Sequence, residues 1–181
     1  MSLARDLVHG LIAGATGTVA LNLMTYLDMA LRARPASPVP AQTAKELADA
    51  ADVDLAPDND EETEQNRSQG LGALLGYVSG LGFGALYGLV APRVGATSVP
   101  VAAGALTLAT MAGSNVPATA AGITHPREWS AKDWIADIVP HLLYGIVTAA
   151  VFDTINRPDS VSSSTDALLV TPATLETRAV R

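Results

Sequence analysis

The sequence contains no cysteine. This excludes disulfide bonds, thiolate metal sites and a cysteine nucleophile. Without cysteine, the sequence also does not indicate whether the protein lies in an oxidising or a reducing compartment. Charge is also scarce, since Asp, Glu, Lys and Arg make up 16% of the residues, against roughly 25% in an ordinary soluble protein. The length of 181 residues suits one domain, and such strong depletion of charge is typical of a membrane protein.

Long stretches of the sequence lack charge altogether. No Asp, Glu, Lys or Arg occurs in the ranges 7–27, 70–91, 94–124 and 138–152. A helix needs about 20 mostly apolar residues to cross the hydrocarbon core of a bilayer. The predicted fold class is therefore all-α, a polytopic membrane protein with four transmembrane helices at about residues 7–31, 70–91, 99–123 and 131–155.

Two other interpretations of these apolar stretches fit the sequence less well. A soluble bundle of four helices needs a charged outer face on each helix, and none of the four segments has one. The first segment could be a secretory signal peptide, because Arg5 precedes an apolar stretch. That stretch is longer than a signal-peptide core, and Asn22 and Asp28 follow where a cleavage site is expected.

Glycine recurs at helical spacing in the second apolar stretch. In water each interior glycine costs about 1 kcal/mol relative to alanine, whereas in lipid small residues four apart let helix backbones come close. The first segment repeats the pattern with Gly10 and Gly14. We predict that these glycines pack the helices into a compact bundle or a homo-oligomer. The glycine column of the second segment consists of Gly72, Gly76, Gly80, Gly84 and Gly88.

Composition divides the chain into a membrane domain and a tail. Residues 1–157 contain the four apolar segments and are predicted to form one membrane domain. Residues 35–69 form an acidic connector between the first two spans. Residues 158–181 are rich in Ser and Thr, and we predict that they are disordered.

The acidic connector has two halves of different character. Ala44, Leu47 and Ala48 recur at helical spacing, which predicts a short amphipathic helix on the bilayer surface or the end of the bundle. Acidic residues concentrate between Asp49 and Glu64, so the second half is expected to be a solvated loop. This local negative charge also argues against nucleic acid as a partner.

Polar residues within the apolar segments form a candidate intramembrane site. Asp137 and His141 lie four residues apart on one helical face, where a carboxylate can fix the tautomer of an imidazole. Asn115 and Asn22 are the other two candidates. Ionisable groups in a membrane are costly and turn toward each other or toward water. These residues either line a proton-linked or ligand-binding path, or they only cap carbonyls and join helices.

No pattern in the sequence predicts a metal, a cofactor or a catalytic site. The three histidines lie on different segments and lack the spacing of metal ligands. Neither a phosphate-binding loop nor a Gly-x-Ser-x-Gly turn occurs. The expected cofactor set is therefore empty, and no enzymatic activity is predicted.

Three stretches of sequence carry a resemblance to a known group of proteins. They are "GLIAGATGTVALNLM" with the following "RPASPVP", "GALLGYVSGLGFGALYGLVAP", and "PHLLYGIVTAAVFD". With these stretches the chain resembles the small, uncharacterised bacterial inner-membrane proteins of the YagU-like type. The resemblance implies a four-helix protein of the bacterial inner membrane and offers no catalytic residue. Where those proteins tend to have a histidine in the second span, this chain has Ala73, which argues against a paired-histidine site.

Lys and Arg are distributed unevenly between the two ends of the predicted spans. They are more numerous at the end that carries the two long connectors, which favours a cytoplasmic location for that end. Arg178 and Arg181 in the tail reduce the difference, so the orientation stays open.

The sequence supports function hypotheses from three classes. The first is a structural or partner-binding membrane subunit, whose partners are the lipid bilayer and either further copies of the chain or another membrane protein. The second is a small-solute or proton-linked transporter or channel that uses the intramembrane polar residues. The third is an integral-membrane enzyme acting on lipid or quinone. A polar cavity reaching the bilayer midplane would favour transport, a dry core would favour assembly, and several acids and histidines in contact would favour an enzyme.

Overall fold

The computed structural model describes residues 2–95 and 97–157, which form an all-helical bundle. Within those ranges there is no β-strand, and the predicted fold class is confirmed, including the short helix in the acidic connector. The predicted disordered tail lies outside the described residues. The five α-helices are α1 (Leu3–Arg32), α2 (Val39–Ala50), α3 (Glu61–Val94), α4 (Val99–Ala120) and α5 (Ala131–Asn156).

Four of these helices, α1, α3, α4 and α5, are long and apolar enough to cross a membrane. The shortest, α4, has 22 residues and is therefore about 33 Å long, which matches the hydrocarbon thickness of about 30 Å. Large apolar side chains on their outer faces are exposed, as at Leu23, Val78 and Leu108. Faces of this kind are stable against lipid and not against water, so the fold is that of a multi-pass membrane protein.

Helix α1 lies at the centre of the bundle and contacts both α3 and α5, while α4 packs on α5 and α2 packs on α3. Helices α3 and α4 also touch, over a smaller surface than any of these pairs. His9 near the start of α1 meets Asn156 at the end of α5. We call this end of the bundle the Asp6 end, and the opposite end, which carries α2, the connector end.

Helix α3 begins earlier than predicted. It starts at Glu61, so residues 61–69, in the half of the connector predicted to be a solvated loop, are helical. The Asp60 cap and the acidic residues of the first turn favour this start.

Helix α4 departs from its prediction at its C-terminal end. The sequence predicts a span to about residue 123 with a kink or early break near Asn115 and Pro117. The helix instead continues through Pro117 and ends at Ala120. Proline removes only the N–H that would donate to the Gly113 carbonyl. The ladder resumes after it, and the Ala121 N–H donates to the Pro117 carbonyl at 2.9 Å.

The first turns of α3 and α5 are capped by side chains. Ser130 and Asp133 form a capping box at the start of α5, as their spacing predicts. At the start of α3, Asp60 accepts hydrogen bonds from the Glu62 and Thr63 amides, each at 3.3 Å. The Thr63 hydroxyl, at 2.5 Å from the Asp60 carboxylate, and these two amides lower the pKa of Asp60 below its ordinary value of 3.8.

The Asp60 cap gives a prediction about pH. Because the pKa of Asp60 is lowered on folding, its contribution is complete above about pH 4 and is lost as the pH falls through the lowered value. We expect Asp60→Ala to speed hydrogen exchange of the Glu62 and Thr63 amides at pH 7, and the difference from the parent to shrink as the pH falls from 3.8 through the lowered pKa. Asp58→Ala, two residues before the cap, is the matched control and should leave both amides protected. Equal exchange in the two variants at pH 7 would contradict the cap.

Candidate functional site

The predicted glycine column lies along the contact between α1 and α3. A Cβ atom added to Gly84 would lie 2.6 Å from the Gly10 carbonyl oxygen and 2.7 Å from the Gly14 nitrogen. One added to Gly88 would lie 2.7 Å from the Gly10 Cα. These separations are shorter than any real contact of a Cβ atom. The two backbones therefore touch, and any side chain at these positions would push the helices apart.

The remaining members of the column have different neighbours. Gly72 faces α2, where an added Cβ would lie 2.6 Å from the Pro40 carbonyl oxygen. Gly80 faces the side chain of Thr18 on α1. Gly76 has no described atom within 4 Å of an added Cβ. The column thus serves two intramolecular interfaces and has one open position.

Tyr144 joins three helices at the centre of the bundle. Its side chain is 1% exposed and lies beside Gly17 of α1, and its hydroxyl donates to the Gly80 carbonyl of α3 at 2.6 Å. Thr148, one turn further along α5, is also fully buried. Tyr144 is not among the site residues predicted from the sequence. It is the first of a series spaced by four, with Thr148 and Phe152, and that series was the signal that could have marked this face.

Three of the four predicted polar residues meet between α4 and α5. The Asn115 side-chain amide donates to the Asp137 carboxylate at 2.8 Å. The His141 Nδ1 lies 2.7 Å from the Asp137 backbone carbonyl and 3.4 Å from its carboxylate. The side chains of His141 and Asp137 are 16% and 19% exposed. Asn22 on α1 is half-buried and has no hydrogen bond to these three in the described part of the chain.

Two short contacts join this polar cluster, which consists of Asn115, Asp137 and His141. A carbonyl oxygen can only accept, so at its contact with the Asp137 carbonyl the His141 Nδ1 carries the proton in the neutral ring. The cluster holds one carboxylate and one imidazole, and the described residues contain no group of three side chains able to bind a metal ion. Its contacts can position one proton donor and one acceptor near the middle of α5.

Removal of the imidazole tests whether the cluster supports the fold. We expect His141→Ala to leave the bundle folded and to lower the free energy of unfolding by less than about 1.5 kcal/mol, because it removes one hydrogen bond to a carbonyl that is already part of a helix. Asp137→Ala should cost more, since it leaves the Asn115 amide without its acceptor. Unfolding in mixed detergent micelles measures both variants. A larger loss for His141→Ala than for Asp137→Ala would contradict this order.

A buried carboxylate at the Asp6 end was missed by sequence reasoning. Asp6 is 1% exposed, and its Oδ2 lies 3.7 Å from the Arg93 guanidinium at the end of α3. Its Oδ1 has no hydrogen-bond partner within the described ranges. The residue stands just before the first charge-free stretch and is not among the residues predicted from the sequence. Its position four residues before Gly10 and eight before Gly14 could have assigned it to the packed face of α1.

Indole rings mark the connector end. Trp129 and Trp134 pack edge to face with ring centroids 4.9 Å apart. The Trp129 indole N–H donates to the Thr124 hydroxyl at 3.0 Å. Tryptophan is enriched where membrane meets water, and this pair lies at the start of α5, level with the last turn of α4.

Comparisons with protein-family models, with curated proteins and with solved structures find no match. The function is therefore inferred from the packing and the surfaces of the bundle. Two surface grooves in the described part of the chain are lined mainly by apolar atoms. One lies between α2 and α3, and the other lies beside Asn115 and Pro126 at the end of α4.

Proposed function

We propose that the protein is a structural or partner-binding membrane subunit. The observation that carries this proposal is the closely packed centre of the bundle. Ala13, Thr148 and Ala149 are each 0% exposed, and the backbones of α1 and α3 touch at Gly14 and Gly84. A polar path along the axis of the bundle would need space that these contacts remove, whereas a rigid scaffold needs such contacts.

The surfaces of α3 and of the acidic connector support the same proposal. Only 11% of the apolar window of α3 is buried within the bundle, so α3 offers most of its surface to lipid or to another membrane helix. The connector adds a group of exposed carboxylates next to it. We further propose a location in the bacterial inner membrane, which rests on the resemblance to the YagU-like proteins.

A small-solute or proton-linked transporter is the second candidate function. The polar cluster favours it, because Asp137 and His141 lie in contact within an apolar span and retain some exposure. Ionisable residues at such positions often belong to ion or proton pathways. If the protein moves protons, His141→Ala should abolish acidification of proteoliposomes while the bundle stays folded.

Affinity purification of the native membrane complex tests the proposal. The full-length protein, extracted in a mild detergent from the cells that make it, should elute as a complex larger than one copy, with a second membrane polypeptide or a second copy in fixed stoichiometry. Elution as a single copy with lipid alone, together with proton or solute flux in proteoliposomes that His141→Ala removes, would overturn it in favour of transport.

A further inference from the structure

An apolar groove runs between α2 and α3 at the connector end. It encloses about 310 Å³ and is open along one side. Its lining comes from α2, from Val53 just after α2, and from α3, and it contains almost no polar surface. The lining residues used below are Leu47, Val53, Leu74 and Val78.

Three contacts fix the width of this groove. Gly72 lets the backbone of α3 approach Pro40 at the start of α2. Further along α2, the Lys45 ammonium pairs with the Glu64 carboxylate, and this pairing raises the pKa of Lys45. The Arg67 guanidinium donates to the Leu55 carbonyl at 2.8 Å, which holds the segment after α2 against α3. These contacts hold α2 and the segment after it against α3, so the groove is already formed in the isolated chain.

The groove crosses the boundary between water and lipid. Arg67 is the last charged residue before the apolar stretch of α3, and Leu74 and Val78 lie about two and three turns beyond it. Their side chains are 60% and 66% exposed. Leu47 and Val53, on the α2 side, are 53% and 52% exposed. One part of the groove therefore lies at the depth of lipid chains and the other at the level of the head groups.

Negative charge surrounds the part of the groove that faces water. Between residues 46 and 64 there are nine acidic residues and no Lys or Arg. Asp52 and Asp54 directly flank Val53 of the lining, and both are exposed. With the flanking Lys45 and Arg67 counted, the net charge from residue 45 to residue 67 is 2 − 9 = −7. A lipid phosphate or an anionic head group is repelled from such a surface, and a basic segment is attracted.

We propose that this groove is the docking site of a transmembrane helix of a partner protein, whose Lys- and Arg-rich flank pairs with the acidic connector. The apolar part of such a helix covers Leu74 and Val78, and its flank lies beside Asp52 and Asp54. Clusters of Lys and Arg at the cytoplasmic ends of membrane spans are common, so many membrane proteins have a helix with the basic flank that this groove requires.

This inference rests on the proposed function and adds to it the surface used and the charge of the partner. Photo-crosslinking in native membranes tests it. A photoreactive amino acid is introduced in the full-length protein at Leu74, and in a control at Leu108, which is 71% exposed on α4. We expect Leu74 to capture a polypeptide and Leu108 to capture lipid. Mass spectrometry of the captured peptide should identify a membrane span with at least three Lys or Arg at one end.

A charge variant separates specific docking from chance contact. Asp52→Asn combined with Asp54→Asn alters only exposed side chains of the connector, so the melting temperature should be unchanged. The yield of the Leu74 crosslink should fall about fivefold in this variant and in 0.5 M salt, because exposed charge pairs are screened by salt.

Each other outcome overturns a distinct statement. Capture of a protein from Leu108 but not from Leu74 overturns the groove as the docking site and leaves the proposed function standing. Capture through Leu74 of a span with an acidic or neutral flank, or a yield insensitive to Asp52 and Asp54, overturns the basic partner. Lipid adducts alone at both positions, with elution as a single copy, overturn the groove and the proposed function together.

Discussion

Gly84→Leu is expected to separate α1 from α3 and to cause the largest loss of stability of any single substitution considered for this protein. The new side chain would meet the backbone of α1, with the Gly10 carbonyl oxygen 2.6 Å from the position of its Cβ. Backbone cannot swing aside as a side chain can, so the helices must move apart. We expect a loss of at least about 3 kcal/mol in the free energy of unfolding, measured by unfolding in mixed detergent micelles.

Gly82→Leu is the matched control on the same helix. No described atom lies within 4 Å of a Cβ at Gly82, and leucine has the higher helix propensity. This variant should unfold like the parent or slightly later. If Gly84→Leu and Gly82→Leu behave alike, the contact between the α1 and α3 backbones does not hold the bundle together.

The geometry also ranks the glycines within the column. Gly80 faces the Thr18 side chain, which can rotate, whereas Gly84 faces backbone atoms of Gly10 and Gly14. A substitution at Gly80 should therefore disrupt the bundle less than the same substitution at Gly84, although the sequence pattern alone gives the two positions equal weight.

Tyr144→Ala is expected to produce the second-largest effect. It empties the most enclosed large side chain of the bundle and removes the hydrogen bond to the Gly80 carbonyl. In a water-soluble protein, truncation of a buried aromatic side chain costs about 3–5 kcal/mol. In lipid the separated helices remain in an apolar medium, so the transfer part of that cost is largely absent and the cavity and hydrogen-bond parts remain. We expect a loss of about 2–4 kcal/mol.

Two control variants divide this effect into its parts. Tyr144→Phe keeps the ring and removes only the hydroxyl, and it should cost about 1 kcal/mol. Tyr26→Ala removes a tyrosine that is 62% exposed on α1, and it should leave the unfolding midpoint unchanged. A Tyr144→Ala variant as stable as Tyr26→Ala would show that the central ring does not contribute to the packing.

The four candidate spans could be predicted from the sequence because charge is excluded from hydrocarbon, and that exclusion is visible in a single sequence. The partner of each glycine could not be predicted in this way. Spacing by four shows that Gly72 and Gly84 share a helical face, but the two meet different helices, α2 and α1. Which helix lies opposite depends on the order of the helices around the bundle, and that order has no local signature.

The polar residues show the same limit. The i, i+4 spacing of Asp137 and His141 predicts their proximity, because both belong to one helix. The contact between Asn115 and Asp137 joins two helices, and the same residue type at Asn22 has no such contact in the described ranges. Asp6 was missed for a different reason. A charged residue at the edge of an apolar stretch is usually solvated, and only the helical face that Asp6 shares with Gly10 indicates that it is buried.

The central position of α1 also bears on how the protein is made. Of the four spans, α1 leaves the ribosome first, and its two main neighbours, α3 and α5, are the second and the fourth to enter the bilayer. The face with Gly10 and Gly14 meets its neighbour when α3 inserts, whereas the surface at Gly17 stays open to lipid until Tyr144 arrives with α5. A nascent chain stalled before α5 should consequently remain loose and open to insertion chaperones or proteases.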